Sequence, residues 1–263
     1  EGSLSVSGLN RLRRALPDAL LVGADDILFD LGWVKEKQEI DLIAKAAEIG
    51  DTALERVLGL VKPGVPEREI AAELEYQMVM LGAEKRAFET IVASGYRSAL
   101  PHGAASDKEI EKGDFVTFDF GATYRGYSSD MTRTVVVGKA TAKQKNIYNT
   151  VLRAQKAGLR KVKAGVPAAD VDKAARNVIN RAGYEKEFGH GTGHGIGFPQ
   201  DPIHTGPRVN ATSEDTLKVN HVITVEPGIY TSGWGGVRIE DDVVVTRNGG
   251  RILNSVTKKL LEL

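Results

Sequence analysis

The chain has 263 residues, with 35 basic and 35 acidic side chains, so its formal net charge is zero. This balance argues against nucleic acid or an anionic membrane surface as a partner. Cysteine is absent, which excludes thiol nucleophiles, disulfide frameworks and cysteine-ligated metal sites. No apolar run approaches the length that spans a bilayer, and we expect a cytoplasmic protein with no membrane partner.

Residues 1–35 differ in pattern from the rest of the chain. Leu9–Leu16 predicts a short helix and Ala19–Val22 a short strand. These elements are too few to form a domain of their own. We therefore expect residues 1–35 to be a remnant of an N-terminal domain or a leader left by cloning, followed by the main domain over residues 36–263.

The main domain opens with two predicted helices. Apolar residues recur at helical spacing from Glu36 to Val61, where Pro63 ends the pattern. A second helix starts near Pro66, a residue favoured in a first turn, and ends at Gly82. Helix pairs of this kind pack on a sheet, which the later sequence supplies.

The chain resembles itself at an offset of about 100 residues. The matched pairs, in chain order, are Val61–Pro66 with Val162–Pro167, Leu100–Gly103 with Ile203–Gly206, Phe115–Asp119 with Val222–Glu226, and Arg133–Val137 with Asp241–Val245. Strands that follow one another without an intervening helix favour antiparallel pairing. We expect an α+β fold, in which a duplicated unit with a pseudo-twofold axis forms an antiparallel sheet flanked by helices.

Four carboxylates occupy matching places in the two copies. Strand alternation puts Asp119 and Asp130 on polar faces of adjacent strands in the first copy, and Glu226 and Glu240 in the second. Converging carboxylates repel one another and lose hydration, so a cation must lie among them. Two divalent ions bridged by carboxylates would satisfy this need. The alternative is that these residues are ordinary surface acids at strand ends.

A glycine-rich run, Phe188–Gly197, forms the second cluster of interest. His190 and His194 have the spacing of a zincin helix, but alternating glycines disfavour a helix and no Glu follows His190. An extended run instead places His190, Thr192 and His194 on one face, where imidazole can bind a metal. A purely structural role is the alternative for either histidine.

Taken together, these motifs resemble the pita-bread metallopeptidases: methionine aminopeptidase, aminopeptidase P and prolidase. The resemblance covers residues 36 to 260 and rests on four motifs in family order. They are Asp119 with Asp130, Thr192–Gly197, Thr224–Tyr230 and Gly236–Asp241. The segments Asp130–Thr134 and Val237–Asp241 look like those of the Xaa-Pro branch. This resemblance implies a pita-bread fold and hydrolysis of the bond between a first residue and a following proline.

The resemblance also implies a dinuclear metal centre. Its ligands would be Asp119, Asp130, His194, Glu226 and Glu240. Asp119 would bind one ion, His194 and Glu226 the other, and Asp130 and Glu240 would bridge. An oxygen-rich ligand set suits Mn²⁺, with Co²⁺ and Zn²⁺ as alternatives. A water activated by the ions would attack the scissile carbonyl.

Three residues are assigned catalytic roles by the same resemblance. Glu226 would carry the proton to the leaving nitrogen. His204 would stabilise the tetrahedral oxyanion, and His102 would contact substrate near the proline. His204, followed by Pro207 and Arg208, is similar to a loop of the Xaa-Pro peptidases, although Thr205 replaces the usual Glu and a three-residue insertion precedes it.

Four further residues are expected to bind the substrate or to orient the residues around it. His190 would line the pocket, and Tyr230 is a candidate wall for the proline ring. Arg208 is placed to bind the free carboxylate of a dipeptide. Arg238 shares a strand face with Glu240 and is expected to orient it, as Thr132 would orient Asp130.

The expected partner is an Xaa-Pro dipeptide, cut by a prolidase, or a short Xaa-Pro peptide, cut by an aminopeptidase P, and the sequence leaves both open. A methionine aminopeptidase-like enzyme is the first alternative. A non-catalytic peptide-binding module of the same fold is the second. A homodimer is also possible.

Overall fold

Two helices followed by an antiparallel sheet occur twice along the chain. A computed structural model describes residues 4–23, 31–198 and 206–263. The α-helices are α1 (Val6–Ala15), α2 (Lys37–Val57), α3 (Glu67–Met80), α4 (Ala142–Lys161) and α5 (Ala168–Arg181). The strands are β1 (Lys85–Arg86), β2 (Ile91–Ser94), β3 (Phe115–Phe120), β4 (Ala122–Tyr124), β5 (Tyr127–Ser128), β6 (Met131–Val136), β7 (Val222–Val225), β8 (Gly228–Thr231), β9 (Gly235–Arg238), β10 (Asp241–Val245) and β11 (Gly250–Ile252).

Each repeat builds one antiparallel sheet around a central strand. The first has the order β2-β3-β6, and the second has the order β11-β10-β7. The glycine-rich run extends the second sheet, because Gly195 forms a bridge with Ile223 on the free side of β7. This run therefore lies beside β7 as β2 lies beside β3.

The duplication predicted from the sequence is confirmed in the main-chain hydrogen bonds. Gly64 donates its N–H to the carbonyl of Ile110 at 2.9 Å, and Gly165 donates to Leu217 at 2.8 Å. Both glycines have positive φ, 87° and 84°, a conformation that costs other residues more. The same turn therefore leads into the second helix of each repeat.

Strand alternation in β3 separates the core from the site. Val116, Phe118 and Phe120 are fully buried against the apolar residues of α2 and α3. Thr117 and Asp119 point to the opposite face, where the Thr117 hydroxyl lies 3.1 Å from that of Thr134. Burial of the apolar face stabilises the sheet and thereby fixes the position of Asp119.

The N-terminal segment departs from its predicted structure. Helix α1 begins at Val6, ahead of the predicted Leu9, because the Ser5 side chain accepts the N–H of Gly8 and caps the helix there. Ala19–Val22 is exposed and is not in a strand. The division of the chain at residue 35 stays a prediction. Among the described residues, no helix is both long and apolar enough to cross a membrane.

Candidate metal centre and substrate cleft

The four carboxylates lie at equivalent strand ends of the two sheets. Asp119 is the penultimate residue of β3, and Glu226 follows directly after β7. Asp130 precedes β6, and Glu240 precedes β10. Each repeat therefore contributes one carboxylate at the end of a strand, β3 or β7, and one just before the neighbouring strand of the same sheet, β6 or β10.

The five predicted ligands converge at one point between the sheets. Asp119, Asp130 and Glu240 offer oxygen atoms that all lie within 4.8 Å of one another. The Nε2 atom of His194 lies 3.6 Å from Asp130 Oδ2 and 3.6 Å from Glu226 Oε1. Residues from both repeats thus complete a single cluster.

This cluster is unfavourable for the protein alone. Burial, together with the charges of Glu240, Asp119 and Glu226, raises the pKa of Asp130 well above its usual value. Burial and the charges of Glu226 and Asp119 likewise raise the pKa of Glu240 well above its usual value. Divalent cations would remove both costs, so the donor set fits such ions.

The orientation of His194 also fits a metal ligand. Its Nδ1 atom lies 2.9 Å from the carbonyl of Gly195, which can only accept a hydrogen bond. A proton is therefore on Nδ1, which leaves Nε2, the ring nitrogen nearest Asp130 and Glu226, to bind a metal. This is the tautomer and the backbone contact that metal-binding histidines typically have.

The two halves of the cluster are not identical. The register of the strands places Ala93 opposite Thr117 in the first sheet. His194 lies opposite Thr224 in the second, since the Thr224 N–H donates to the His194 carbonyl at 2.7 Å. A nitrogen donor is therefore available at this position in only one of the two repeats.

Two residues on neighbouring strands hold the backbone of the predicted bridging ligands. Asp242 accepts the backbone N–H of Asp130 at 3.0 Å. In return, Arg133 donates to the backbone carbonyl of Glu240. Asp242 and Arg133 are both buried, so the separation of Asp130 and Glu240 is set by contacts beneath the site.

Thr132 contacts a different carboxylate from the one expected. Its hydroxyl donates to Glu240 Oε2 at 2.6 Å, not to Asp130. The reason is that the two sheets meet at this point: the Glu240 N–H donates to the Thr132 carbonyl at 3.1 Å, which places these residues opposite each other.

Arg238 contacts Asp119 directly and reaches Glu240 only through the Thr132 hydroxyl, so its role in orienting Glu240 stays a prediction. Its Nε donates to the Thr132 hydroxyl at 2.9 Å and lies 4.0 Å from a Glu226 oxygen. Burial would lower the pKa of Arg238, but Tyr230, Asp119 and Glu226 raise it well above its usual value. It is a fixed positive charge beside the cluster.

Tyr230 was expected to form part of the cleft wall, but it lies behind that wall. Its hydroxyl accepts from Arg238 Nη1 at 2.8 Å and lies 2.8 Å from His190 Nε2. The His190 Nδ1 atom meets the Gly191 carbonyl at 2.7 Å and so carries the proton. Tyr230 therefore donates to His190, and burial raises the pKa of Tyr230 to about 12, which keeps that proton in place.

The carboxylates form part of the wall of a cavity of about 680 Å³. Phe88, Ile91, Pro101, His102, His190 and Arg208 also contribute to the wall. His102 and Arg208 are exposed, so their side chains are accessible to a ligand. His204 lies outside the described residues, and its role at the oxyanion stays a prediction.

Comparison with known proteins decides the family. Residues 41–247 match metallopeptidase family M24. The chain belongs to this family. It is 46% identical to an Xaa-Pro dipeptidase of Pyrococcus horikoshii over 99% of this chain and 74% of that one.

Solved structures of the M24 family confirm the predicted fold. An Xaa-Pro dipeptidase from Bacillus anthracis superposes with a TM-score of 0.95 at 45% identity, covering 100% of this chain and 73% of that one. An X-Pro aminopeptidase from Thermotoga maritima gives a TM-score of 0.95 at 43% identity, covering 99% and 72%. The pita-bread fold that the family resemblance implied is thus correct.

One functional side chain of this M24 domain was not found from the sequence. Glu67 is fully buried and accepts from both the backbone and the hydroxyl of Ser94, at 2.6 and 2.8 Å. It also accepts from Arg97 at 2.9 Å and from the Ser106 hydroxyl at 2.6 Å. These contacts fix both ends of the segment that carries His102. In the sequence, Glu67 looks like an ordinary acid of a helix first turn.

The glycines of the M24 glycine-rich run are required by close backbone approach. A Cβ on Gly193 would lie 2.1 Å from the Thr224 carbonyl oxygen, on the strand that leads to Glu226. A Cβ on Gly195 would lie 1.8 Å from the Gly206 carbonyl oxygen. Alternating glycines therefore allow one extended segment to lie between two others.

Gly193→Ala is predicted to damage the metal centre. The added methyl group forces β7 away from His194, and a displacement of this size lowers turnover by at least about 100-fold. Peptidase assays and metal counting would measure the effect. Gly189→Ala is the matched control, because its Cβ meets nothing within 4 Å. Equal loss in both variants would contradict the role of close approach.

The metal-free protein is predicted to lose stability as pH rises. The pKa values of Asp130 and Glu240 are raised in the folded protein above their usual values of 3.8 and 4.5. At a pH above these usual values, the folded protein therefore binds more protons at these two residues than the unfolded chain does. Stability therefore falls as pH rises from these usual values through the raised pKa values.

Thermal unfolding of metal-free wild type and Asp130→Asn would test this. The variant lacks one buried charge, so we expect it to be the more stable protein at about pH 8, with an advantage that shrinks toward about pH 5. An advantage that does not depend on pH would show that these carboxylates carry no excess protons.

Proposed function

We propose that this chain hydrolyses Xaa-Pro dipeptides, with two divalent metal ions held by Asp119, Asp130, His194, Glu226 and Glu240. The observation that carries the proposal is the convergence of these five side chains at a cleft. Membership of a metallopeptidase family supports a hydrolytic role. The names of the relatives, Xaa-Pro dipeptidase and X-Pro aminopeptidase, support the proline specificity.

The chemistry divides between the ions and the chain. Bound divalent ions would polarise the scissile carbonyl and lower the pKa of a water molecule toward neutrality. We assign Mn²⁺ because the donors are mostly carboxylate oxygens, with Co²⁺ and Zn²⁺ as the other candidates.

Glu226 is the residue suited to move the proton. The scissile nitrogen of an Xaa-Pro bond belongs to the proline ring and carries no hydrogen in the peptide, so it must gain one when the bond breaks. One Glu226 oxygen accepts the Thr224 hydroxyl at 3.3 Å, which orients the carboxylate. Only part of the side chain, 17%, is exposed, and this part faces the cleft.

In this proposal, Arg208 determines the preference of the enzyme for the length of its substrate. Its guanidinium is exposed on the cleft wall, and its backbone N–H is fixed by Asp215 at 2.8 Å. A cation at this place can bind the free carboxylate of a dipeptide. A longer peptide has no carboxylate there, and this favours dipeptidase over aminopeptidase P.

The central experiment measures metal content and peptide cleavage together. Protein stripped by a chelator is predicted to be inactive and to regain cleavage of Ala-Pro with about two Mn²⁺ per chain. Asp130→Asn should lose bound metal and at least about 100-fold in activity, whereas Asp41→Asn, on an exposed helix face with a side chain 60% exposed, should not.

The same assay separates the alternatives. Cleavage of a longer Xaa-Pro peptide in preference to Ala-Pro would indicate an aminopeptidase P. Cleavage of Met-Ala alone would indicate a methionine aminopeptidase-like enzyme. Metal binding without cleavage of any peptide would indicate a binding module.

Arg208→Gln is predicted to discriminate by substrate length. Loss of a charge-assisted contact with the carboxylate should raise KM for Ala-Pro about tenfold or more. KM for Ala-Pro-Ala should stay the same, because its carboxylate lies farther along. Steady-state kinetics on both peptides would measure this, and equal changes for the two would refute the carboxylate contact.

A further inference from the structure

Helix α5 carries a buried ion pair that the catalytic scheme does not use. Arg176 donates from Nε and Nη2 to the two carboxylate oxygens of Asp172, both at 2.9 Å. The Asp172 side chain is 1% exposed and that of Arg176 is 25% exposed. The two residues lie one helical turn apart, so the helix itself brings them together.

This pair holds the backbone of the glycine-rich run. Arg176 donates to the carbonyl of Phe188 at 3.0 Å and to that of His190 at 2.7 Å. Asp172 accepts the backbone N–H of Thr192 at 3.1 Å and its hydroxyl at 2.8 Å. The contacts fall on alternate residues, along one edge of an extended segment, where a neighbouring strand would otherwise bind.

Aromatic contacts extend from the pair to the cleft. The Arg176 guanidinium lies 4.2 Å from the centre of the Phe188 ring, a favourable cation–π distance. The Phe188 ring meets the His190 ring edge-on, with 5.1 Å between centres. Arg176 therefore fixes His190 both through its carbonyl and through the ring beside it.

We propose that Asp172 and Arg176 are positioning residues for substrate binding, which fix His190 on the cleft wall. This inference rests on the proposed peptidase function only for its kinetic readout. Contacts to β7 hold the later part of the run separately, because Glu226 donates its N–H to the Thr192 carbonyl at 2.7 Å. The Thr224 N–H holds His194 in the same way. Weakening the pair should therefore alter substrate affinity and leave metal binding intact.

Arg176→Lys tests the proposal kinetically. Lysine keeps a positive charge beside Asp172 but lacks the planar fork that reaches both carbonyls. We expect KM for Ala-Pro to rise about tenfold, with kcat changed less than about threefold and the Mn²⁺ count unchanged. The matched control is Arg181→Lys on the same helix, since Arg181 is exposed and lines a groove away from the cleft.

A second variant guards against a folding defect in the first. Asp172→Asn keeps an oxygen for Thr192 but loses the ion pair, and the same rise in KM is expected. A fall in kcat or in the Mn²⁺ count at unchanged KM, in either folded variant, would overturn the proposal.

A spectroscopic readout separates this inference from the proposed function. The chain has five histidines, and a His190→Asn variant would assign the ring ¹⁵N resonances of His190. Arg176→Lys should shift these resonances, and Arg181→Lys should not. Unshifted resonances would overturn the inference even if the enzyme cleaves Ala-Pro, whereas an inactive wild type with the expected shift would overturn only the proposed function.

A double variant completes the test. If Arg176 acts through His190, Arg176→Lys should add no further rise in KM to that of His190→Asn. Additive effects would show that Arg176 acts by another route, and the proposal would then be wrong.

Discussion

Electrostatic repulsion among buried carboxylates is the constraint on which this structure depends. Asp130 and Glu240 are almost completely buried, and the charges of Asp119 and Glu226 help to raise the pKa of both. Such a cluster does not persist unless the fold prevents the side chains from moving apart. Beneath them, Asp242 and Arg133 bind the backbone of the opposing strand, and these contacts hold the carboxylates in place against their repulsion.

The two repeats of the fold together provide this restraint. The hydrogen bond from Glu240 to Thr132 joins the two sheets where the carboxylates lie, and each sheet packs against its own helix pair. The second helix of each repeat has one further role. Glu67 on α3 fixes the segment of His102, and Asp172 on α5 fixes that of His190. Both walls of the cleft are therefore anchored by buried carboxylates on helices.

The sequence was sufficient to predict what depends on periodicity and repetition. Alternation in β3 correctly placed Asp119 opposite the core, and the internal repeat paired Asp130 with Glu240. It was insufficient for contacts between sheets. Thr132 was assigned to Asp130 but donates to Glu240, and the direct contact of Arg238 with Asp119 was not predicted. A strand pattern gives the face of a side chain but not the distance it reaches. The positioning role of Glu67 could not be predicted, because acidic residues are common in the first turn of a helix for other reasons.

The division of the site between two repeats has a consequence for the order of events during synthesis. Arg238 contacts Asp119 across 119 residues of chain, and Asp242 contacts Asp130 across 112. Contacts so distant in sequence form late in folding, since long loops must close first. A half-made chain on the ribosome therefore displays two carboxylates and no complete centre. Hydrolytic capacity therefore requires that both repeats are synthesised and packed against each other.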